Sequence, residues 1–173
     1  MNNLNKFDKV IRFLSEHLPK ANEETRKPVL FHSVRVGVYL YENGYSDDIV
    51  LAGFLHDVLE FSPVKEQILE QKFGQNVLKL IKACTKDDSI SNAKEKTNEL
   101  IKRCLDSGQD ALIVKTADIL DSFKFYSSQN NIEQLKYCLR NANAIFEFKP
   151  ADFNDKIFNE LSAWQKRYAD LGE

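Results

Sequence analysis

The sequence predicts an all-α fold, and three observations support that prediction. Six glycines and four prolines in 173 residues leave few positions at which a helix must break. Between these breaks the apolar residues recur at intervals of three and four, which is the period of a helix that buries one face. No segment has the apolar-polar alternation that defines a half-buried strand.

Proline, glycine and capping residues divide the first third of the chain into helices. The first predicted helix ends at Pro19, and the second runs from Pro28 to the pair Asn43-Gly44. A third is expected to continue unbroken through D-D-I-V-L-A-G-F-L-H-D-V-L-E-F, with Ser46 as its N-cap. We expect Ser62-Pro63 to end it and to cap and start the next helix.

Later breaks place the remaining helices. Gly74 and Gly108 each close a predicted helix, and the polar segment 85–91 is expected to form a mobile loop. Further helices are predicted over residues 92–107, 110–127, 131–147 and 152–170. For the last of these, Asp152 is the predicted N-cap.

Composition limits the classes of function. The length fits one domain, residues 1–173. The 24 basic and 26 acidic residues give a net charge of −2, so no overall basic field is present to bind nucleic acid. No apolar run reaches the ~20 residues of a membrane span. The three cysteines lack disulfide or zinc-finger spacing, which predicts a reducing, cytoplasmic location.

Two histidines and two acids form a candidate metal site. His32 and His56 lie in apolar helical segments, Asp57 follows His56, and Asp118 follows an apolar run in which an unpaired carboxylate would be costly. Two imidazoles and two carboxylates can bind one divalent transition metal, which acidifies a water molecule. A buried hydrogen-bonded His–Asp network is the alternative interpretation. Glu60, one turn after His56, is the candidate to orient or deprotonate that water, or else a surface residue paired with Lys65.

The order of these residues resembles a known pattern. His32, His56-Asp57 and Asp118 are similar to the H…HD…D signature of the HD-domain metal-dependent phosphohydrolases. Within them, the chain most resembles the hydrolase domains, some of them small and stand-alone, that remove the 3′-pyrophosphate from guanosine tetra- and pentaphosphate alarmones. Four blocks carry the likeness: P-V-L-F-H-S-V-R-V, A-G-F-L-H-D-V-L-E, F-G-Q-N-V and V-K-T-A-D-I-L-D-S.

The resemblance implies an HD-domain helical bundle with a motif-bearing core at about 24–125 and C-terminal helices over 131–170 packed on it. It implies a nucleotide-type phosphoester or pyrophosphoester as substrate and one divalent metal ion. The expected ion is Mn²⁺, with other first-row metals as alternatives. The implied metal ligands are His32, His56, Asp57 and Asp118, and the implied catalytic residue is Glu60.

The sequence also departs from the family pattern. The family's central Glu-Asp pair, thought to prepare the water, is Glu60-Phe61 here, and the Arg and Asn of its closing block are Ile119 and Ser122. Candidate substrate-binding residues are Arg26, Arg35, Lys96 and Ser122. For the basic residues, the alternative is that they form ordinary surface ion pairs.

Three hypotheses about function follow. The first is a metal-dependent phosphohydrolase for a small-molecule nucleotide, with neither nucleic acid nor a membrane as partner. The second is a catalytically weak or inactive nucleotide or alarmone sensor, because Phe61 replaces half of the acidic pair. The third is a structural helical bundle, in which removal of metal would change neither stability nor ligand binding.

Overall fold

The computed structural model describes residues 3–19 and 25–172, and within them it contains helices and no strand. This confirms the all-α prediction. Residue 24, where the predicted motif-bearing core begins, lies outside the described residues. The helices are α1 (Asn3–His17), α2 (Val29–Glu42), α3 (Asp47–Leu55), α4 (Val58–Phe61), α5 (Glu66–Phe73), α6 (Gln75–Cys84), α7 (Ala93–Ser107), α8 (Gln109–Ser128), α9 (Ile132–Phe148), α10 (Lys156–Arg167) and the short 3-10 helix Ala169–Leu171.

The helices group into two compact units. One extends to Thr85 and contains α1–α6, and the other begins at Lys86 and contains α7–α10 with the 3-10 helix. The organisation of residues 1–173 as one domain stays a prediction. Among the described residues, no helix has both the length and the apolar character needed to cross a lipid bilayer.

The first unit is built around the contact between α2 and α3. Gly37 of α2 lies against the ring of Phe54 in α3, so closely that a Cβ atom at Gly37 would come within 2.3 Å of that ring. The buried side chains of α3 extend around the whole helix, which also contacts α1 and α6. The close approach of α2 and α3 positions the histidines that the two segments carry.

The second unit is built around α8. This 20-residue helix is buried at every position from Ala111 to Leu120 and contacts α7, α9 and α10. All three neighbours begin with a side-chain cap: Asn92 accepts from two backbone N–H groups of α7, Asn131 from one of α9 and Asp155 from one of α10. The chemistry-bearing acid Asp118 therefore lies on the most buried helix of its unit.

The structure corrects the predicted course of the third helix. It is not continuous: α3 ends at Leu55, a turn follows at His56-Asp57, and α4 begins at Val58. Nδ1 of His56 lies 2.8 Å from the Gly53 carbonyl oxygen, the acceptor that the N–H of Asp57 would use in an unbroken α-helix.

Two predicted caps were also wrong, and a third is confirmed in its position only. Ser46 occupies the N-cap position of α3, but its side chain makes no capping hydrogen bond. Ser62 does not open the next helix: its hydroxyl donates to the Val58 carbonyl at 2.7 Å and so closes α4, while α5 begins at Glu66. The last long helix is capped by Asp155, whose carboxylate accepts from the N–H of Ile157, and not by Asp152.

Candidate functional site

His56 is fixed in one tautomer by a carbonyl group of the preceding helix, α3. It is 2% exposed, and its Nδ1 lies 2.8 Å from the carbonyl oxygen of Gly53. Because a carbonyl can only accept, Nδ1 carries the proton. In the neutral imidazole, Nε2 then presents a lone pair, the arrangement that a metal-ligating histidine usually shows.

His32 contacts His56 through the Nε2 atoms of both rings. It is fully buried on α2, and its Nε2 lies 3.1 Å from Nε2 of His56. Lys27, five residues earlier, places its Nζ 2.7 Å from Nε2 of His32. An ammonium group can only donate, so the lone pair of His32 Nε2 also points into this cluster.

Asp57 adds a carboxylate to the two imidazoles. It is 4% exposed at the start of α4, with Oδ1 3.4 Å from Nε2 of His56 and Oδ2 3.7 Å from Nε2 of His32. The turn between α3 and α4 brings this side chain beside the His56 ring. We call His32, His56 and Asp57 the His–Asp cluster.

The donor set of the His–Asp cluster fits a divalent metal ion. Two imidazole nitrogens suit first-row transition metals, and one carboxylate supplies negative charge for the cation. The hydrogen bond from His56 Nδ1 to a backbone carbonyl is the contact that orients histidine ligands in metal proteins. The cluster is buried, so its carboxylate would interact strongly with a bound ion, as it does with the ammonium group of Lys27.

Asp118 has its own partners in the second unit. It is 5% exposed on α8, and Nζ of the almost completely buried Lys115 donates to its Oδ2 at 2.8 Å. The hydroxyl of Ser122 lies 3.4 Å from Oδ1. This buried ion pair holds the Asp118 carboxylate in place. Ser122 contacts Asp118, so its hydroxyl is placed to orient that carboxylate.

Glu60 lies on the four-residue helix α4 and is partly exposed. Its backbone N–H donates to the carbonyl of Asp57 at 3.2 Å, so the short turn ties the position of Glu60 to Asp57. The sequence analysis placed Glu60 on one continuous helix with His56. The turn at His56-Asp57 changes that geometry, and the catalytic role of Glu60 stays a prediction.

The three candidate basic residues differ in their burial and in the contacts that are seen for them. Arg26 precedes α2 and Arg35 lies on it, both with exposed side chains. Lys96 of α7 is ion-paired with Asp88 at 3.0 Å. The neighbouring Asp87 accepts from the hydroxyl and the N–H of Ser89, which lowers its pKa. The segment that contacts Lys96 therefore contains two neighbouring carboxyl groups, those of Asp87 and Asp88.

Lys27 is a contact of His32 that the sequence pattern did not predict. It was one of several basic residues near Pro28, and in an irregular segment the helical period gives no facing direction. The signal that could have found it is its position just before the helix that carries His32, since a long flexible side chain there can reach one turn into the helix.

Comparison with known proteins connects these residues to a family. A family profile described as "HD domain" matches residues 11–147. The guanosine-3′,5′-bis(diphosphate) 3′-pyrophosphohydrolase of Aquifex aeolicus is 28% identical over 114 residues, which are 65% of this chain and 16% of that protein. The enzyme of the same name in Drosophila melanogaster, MESH1, is 29% identical over 61% of this chain and 58% of its own length. The chain thus spans less than two thirds of either relative.

Solved structures show the same fold. The structure described as "a metazoan ortholog of SpoT hydrolyzes ppGpp and plays a role in starvation responses" superposes with a TM-score of 0.72. It covers 94% of both chains at 19% identity. The protein lmo0812 of Listeria monocytogenes superposes with a TM-score of 0.64 and covers 79% of this chain. Since the HD-domain profile spans most of the sequence, from α1 through nearly all of α9, the chain belongs to the HD-domain family.

Proposed function

We propose that this chain is a metal-dependent phosphohydrolase that acts on a nucleotide-type phosphoester or pyrophosphoester. Guanosine 3′,5′-bis(diphosphate) is the first candidate substrate, with loss of its 3′-pyrophosphate. The observation that carries the proposal is the convergence of His32, His56 and Asp57 at buried positions of an HD-domain chain. The names of its relatives support the choice of substrate.

The proposed metal ligands are His32, His56, Asp57 and Asp118. The first three are supported by the geometry of the His–Asp cluster. Asp118 is supported by the closing block of the HD pattern and by its buried carboxylate, which Lys115 holds in place. Mn²⁺ is the proposed ion, because imidazole and carboxylate ligands together suit it, and other first-row divalent ions remain candidates.

The chemistry is a hydrolysis at phosphorus. A divalent ion at the cluster would supply the charge that polarises a phosphoryl oxygen and lowers the pKa of water. The carbonyl of Gly53 holds the His56 ring in the orientation this requires. Glu60 is proposed to accept the proton of the attacking water, since it is the acid on the helix that Asp57 begins.

The proposed contacts to substrate come from Arg26, Arg35, Lys96 and Ser122. The exposed guanidinium groups of Arg26 and Arg35 can bind phosphate oxygens in a bidentate manner. Lys96 would have to exchange Asp88 for a phosphate, because the two side chains are paired. Ser122 is the candidate hydroxyl donor, although its observed neighbour is Asp118.

A second candidate function, a nucleotide or alarmone sensor with weak or no turnover, is favoured by one residue. Phe61 stands where the resembled hydrolases carry the second acid of their central block, and it is partly exposed at the end of α4. A sensor would bind the nucleotide and the metal without releasing pyrophosphate or phosphate.

A substrate panel tests these functions. The Mn²⁺-loaded full chain would be incubated with guanosine 3′,5′-bis(diphosphate), GTP, ATP and a generic phosphomonoester, with chelated protein as the control. Metal-dependent release of pyrophosphate from the first compound is the expected result. Tight nucleotide binding with no release would favour the sensor. A loaded protein that neither binds nor cleaves any of the four would contradict both functions.

The reducing, cytoplasmic location belongs to the same proposal. The three cysteines, Cys84, Cys104 and Cys138, are buried thiols that form no disulfide. Buried thiols are typical of proteins that work in a reducing compartment.

A further inference from the structure

We infer that Lys27 and the metal ion compete for the same nitrogen of His32, so that Lys27 sets the affinity of the site for metal. This inference rests on the proposed metal site and adds to it a residue that the HD pattern does not assign. It concerns binding of the ion and is independent of which phosphate compound is hydrolysed.

The neutral imidazole of His32 has a single lone pair for which Lys27 and a metal ion would compete. A neutral imidazole has one acceptor nitrogen with one lone pair in the plane of the ring. Nζ of Lys27 lies 2.7 Å from Nε2 of His32, a distance typical of a strong charge-assisted hydrogen bond. A metal–imidazole bond of about 2.1 Å would use that same lone pair, so His32 Nε2 can serve one of the two partners at a time.

The groups around Nε2 of His32 favour a positive charge. Nε2 of His56 lies 3.1 Å from Nε2 of His32, and the Asp57 carboxylate is within 3.4 Å of one ring nitrogen and 3.7 Å of the other. Two lone pairs that face each other beside a carboxylate favour a cation. In this structure the ammonium group of Lys27 is the cation beside Nε2 of His32. It stabilises the same close approach of the two rings and the carboxylate that a metal ion would stabilise.

The position of Lys27 in the chain allows its side chain to be displaced by an ion. It lies in the irregular segment before α2 and its side chain is only partly buried, whereas His32 is completely buried. The backbone of Lys27 is held separately, because the hydroxyl of Thr25 donates to its carbonyl at 2.6 Å. An entering ion would therefore displace the end of a long side chain, while the hydrogen bond from Thr25 holds the backbone of Lys27.

The test is the affinity of the full chain for Mn²⁺, measured by calorimetry. Lys27→Met keeps the length of the side chain and removes the ammonium, so an entering ion no longer breaks a charge-assisted hydrogen bond. We expect the dissociation constant to fall about tenfold. Lys82→Met is the matched control: Lys82 is half-exposed, is paired with Glu66 in the same unit, and carries the same charge. We expect it to change the affinity less than twofold.

Wild-type protein gives a second readout that needs no variant. An acetylating reagent modifies lysines in proportion to their accessible, unprotonated amine, and the modified positions can be counted by mass spectrometry. Loading with Mn²⁺ should increase the rate of acetylation at Lys27 relative to Lys82. This readout applies even if Lys27→Met does not fold.

The possible results distinguish a failure of the Lys27 competition from a failure of the proposed metal site. If the wild-type chain binds no Mn²⁺, the metal site itself is wrong. If it binds Mn²⁺, and Lys27→Met folds but binds with equal or lower affinity, the competition is refuted while the metal site stands. Acetylation of Lys27 that does not respond to metal would refute the competition as well.

Discussion

The polar side chains of the His–Asp cluster are unusual at the residue scale because they are buried. His32, His56 and Asp57 are each less than 5% exposed. A buried carboxylate or imidazole is costly unless it has a polar or charged partner, and here the partners are one another, a backbone carbonyl and Lys27. Such a cluster contributes less to stability than apolar packing would, which favours a chemical role for it.

The first prediction concerns Glu60. Glu60→Gln keeps the size of the side chain and removes the base, so hydrolysis should slow by ~10²–10⁴ while Mn²⁺ content and nucleotide affinity stay near those of the wild type. Pyrophosphate release and metal analysis on the same samples measure the two effects.

Glu66→Gln is the control for this substitution. It makes the same change on α5, where Glu66 is half-exposed and paired with Lys82. It should leave turnover unchanged. Full activity of a folded, metal-loaded Glu60→Gln protein would show that another group takes the proton.

At the element scale, the contact between α2 and α3 decides where the two histidines lie. A Cβ atom at Gly37 would come within 2.5 Å of three atoms of the Phe54 ring, whereas a Cβ atom at Gly53 would meet the end of the Leu40 side chain at 2.4 Å. An aromatic ring packed between helices cannot move aside as easily as a single methyl group. The two glycines therefore differ in how much substitution they tolerate.

The second prediction follows from this difference. Gly37→Ala should lower the free energy of unfolding by about 1–3 kcal/mol, because the helices must separate to accommodate the methyl group. Gly53→Ala should lower it less, because Leu40 can change rotamer. Urea denaturation measures both. A Gly37→Ala protein as stable as the wild type would mean that Phe54 can repack.

The third prediction concerns the start of α10. Asp155→Ala removes the acceptor of the Ile157 N–H and should cost about 1 kcal/mol of stability. Asp152→Ala, three residues earlier in an exposed position, should have no measurable effect. Equal losses in the two variants, measured by urea denaturation, would contradict the assignment of Asp155 as the cap.

The elements were predictable where periodicity alone decides. Residues 92–107 and 131–147 were predicted as helices within one residue of the observed bounds, because each has a clear apolar stripe between breaks. The break at His56-Asp57 could not be predicted, since it lies inside an apolar run that continues the helical period. The choice between Asp152 and Asp155 likewise depended on a backbone turn that periodicity does not contain.

At the scale of the whole molecule, the sequence named the candidate site residues but not all of their contacts. Histidines and acids inside apolar helices must have partners, and this identified His32, His56, Asp57 and Asp118. Lys27 was not assigned, because a side chain that reaches back from an irregular segment leaves no pattern in the sequence. The pairing of Lys96 with Asp88 was missed for the same reason, since Asp88 lies in the loop before α7.

The last prediction uses the stability of the whole chain to separate a metal protein from a purely structural bundle. A ligand that binds only the folded state raises the free energy of unfolding, by about 2.7 kcal/mol at a concentration one hundred times its dissociation constant. For a chain of this length that corresponds to a rise in Tm of roughly 5–11 °C. We expect Mn²⁺ to produce such a rise and a chelator to reverse it.

Asp57→Asn is the variant that assigns this shift to the His–Asp cluster. It preserves the shape of the side chain and removes the charge that faces both ring nitrogens, so the rise in Tm with Mn²⁺ should shrink to a small fraction of the wild-type value. Asp48→Asn, at a partly exposed position in the first turn of α3, is the matched control and should keep the full shift. A wild-type Tm that does not respond to Mn²⁺ would favour the structural bundle. An equal shift in Asp57→Asn would place the ion elsewhere on the chain, because a cation at the cluster cannot lose the carboxylate that faces both ring nitrogens without losing affinity.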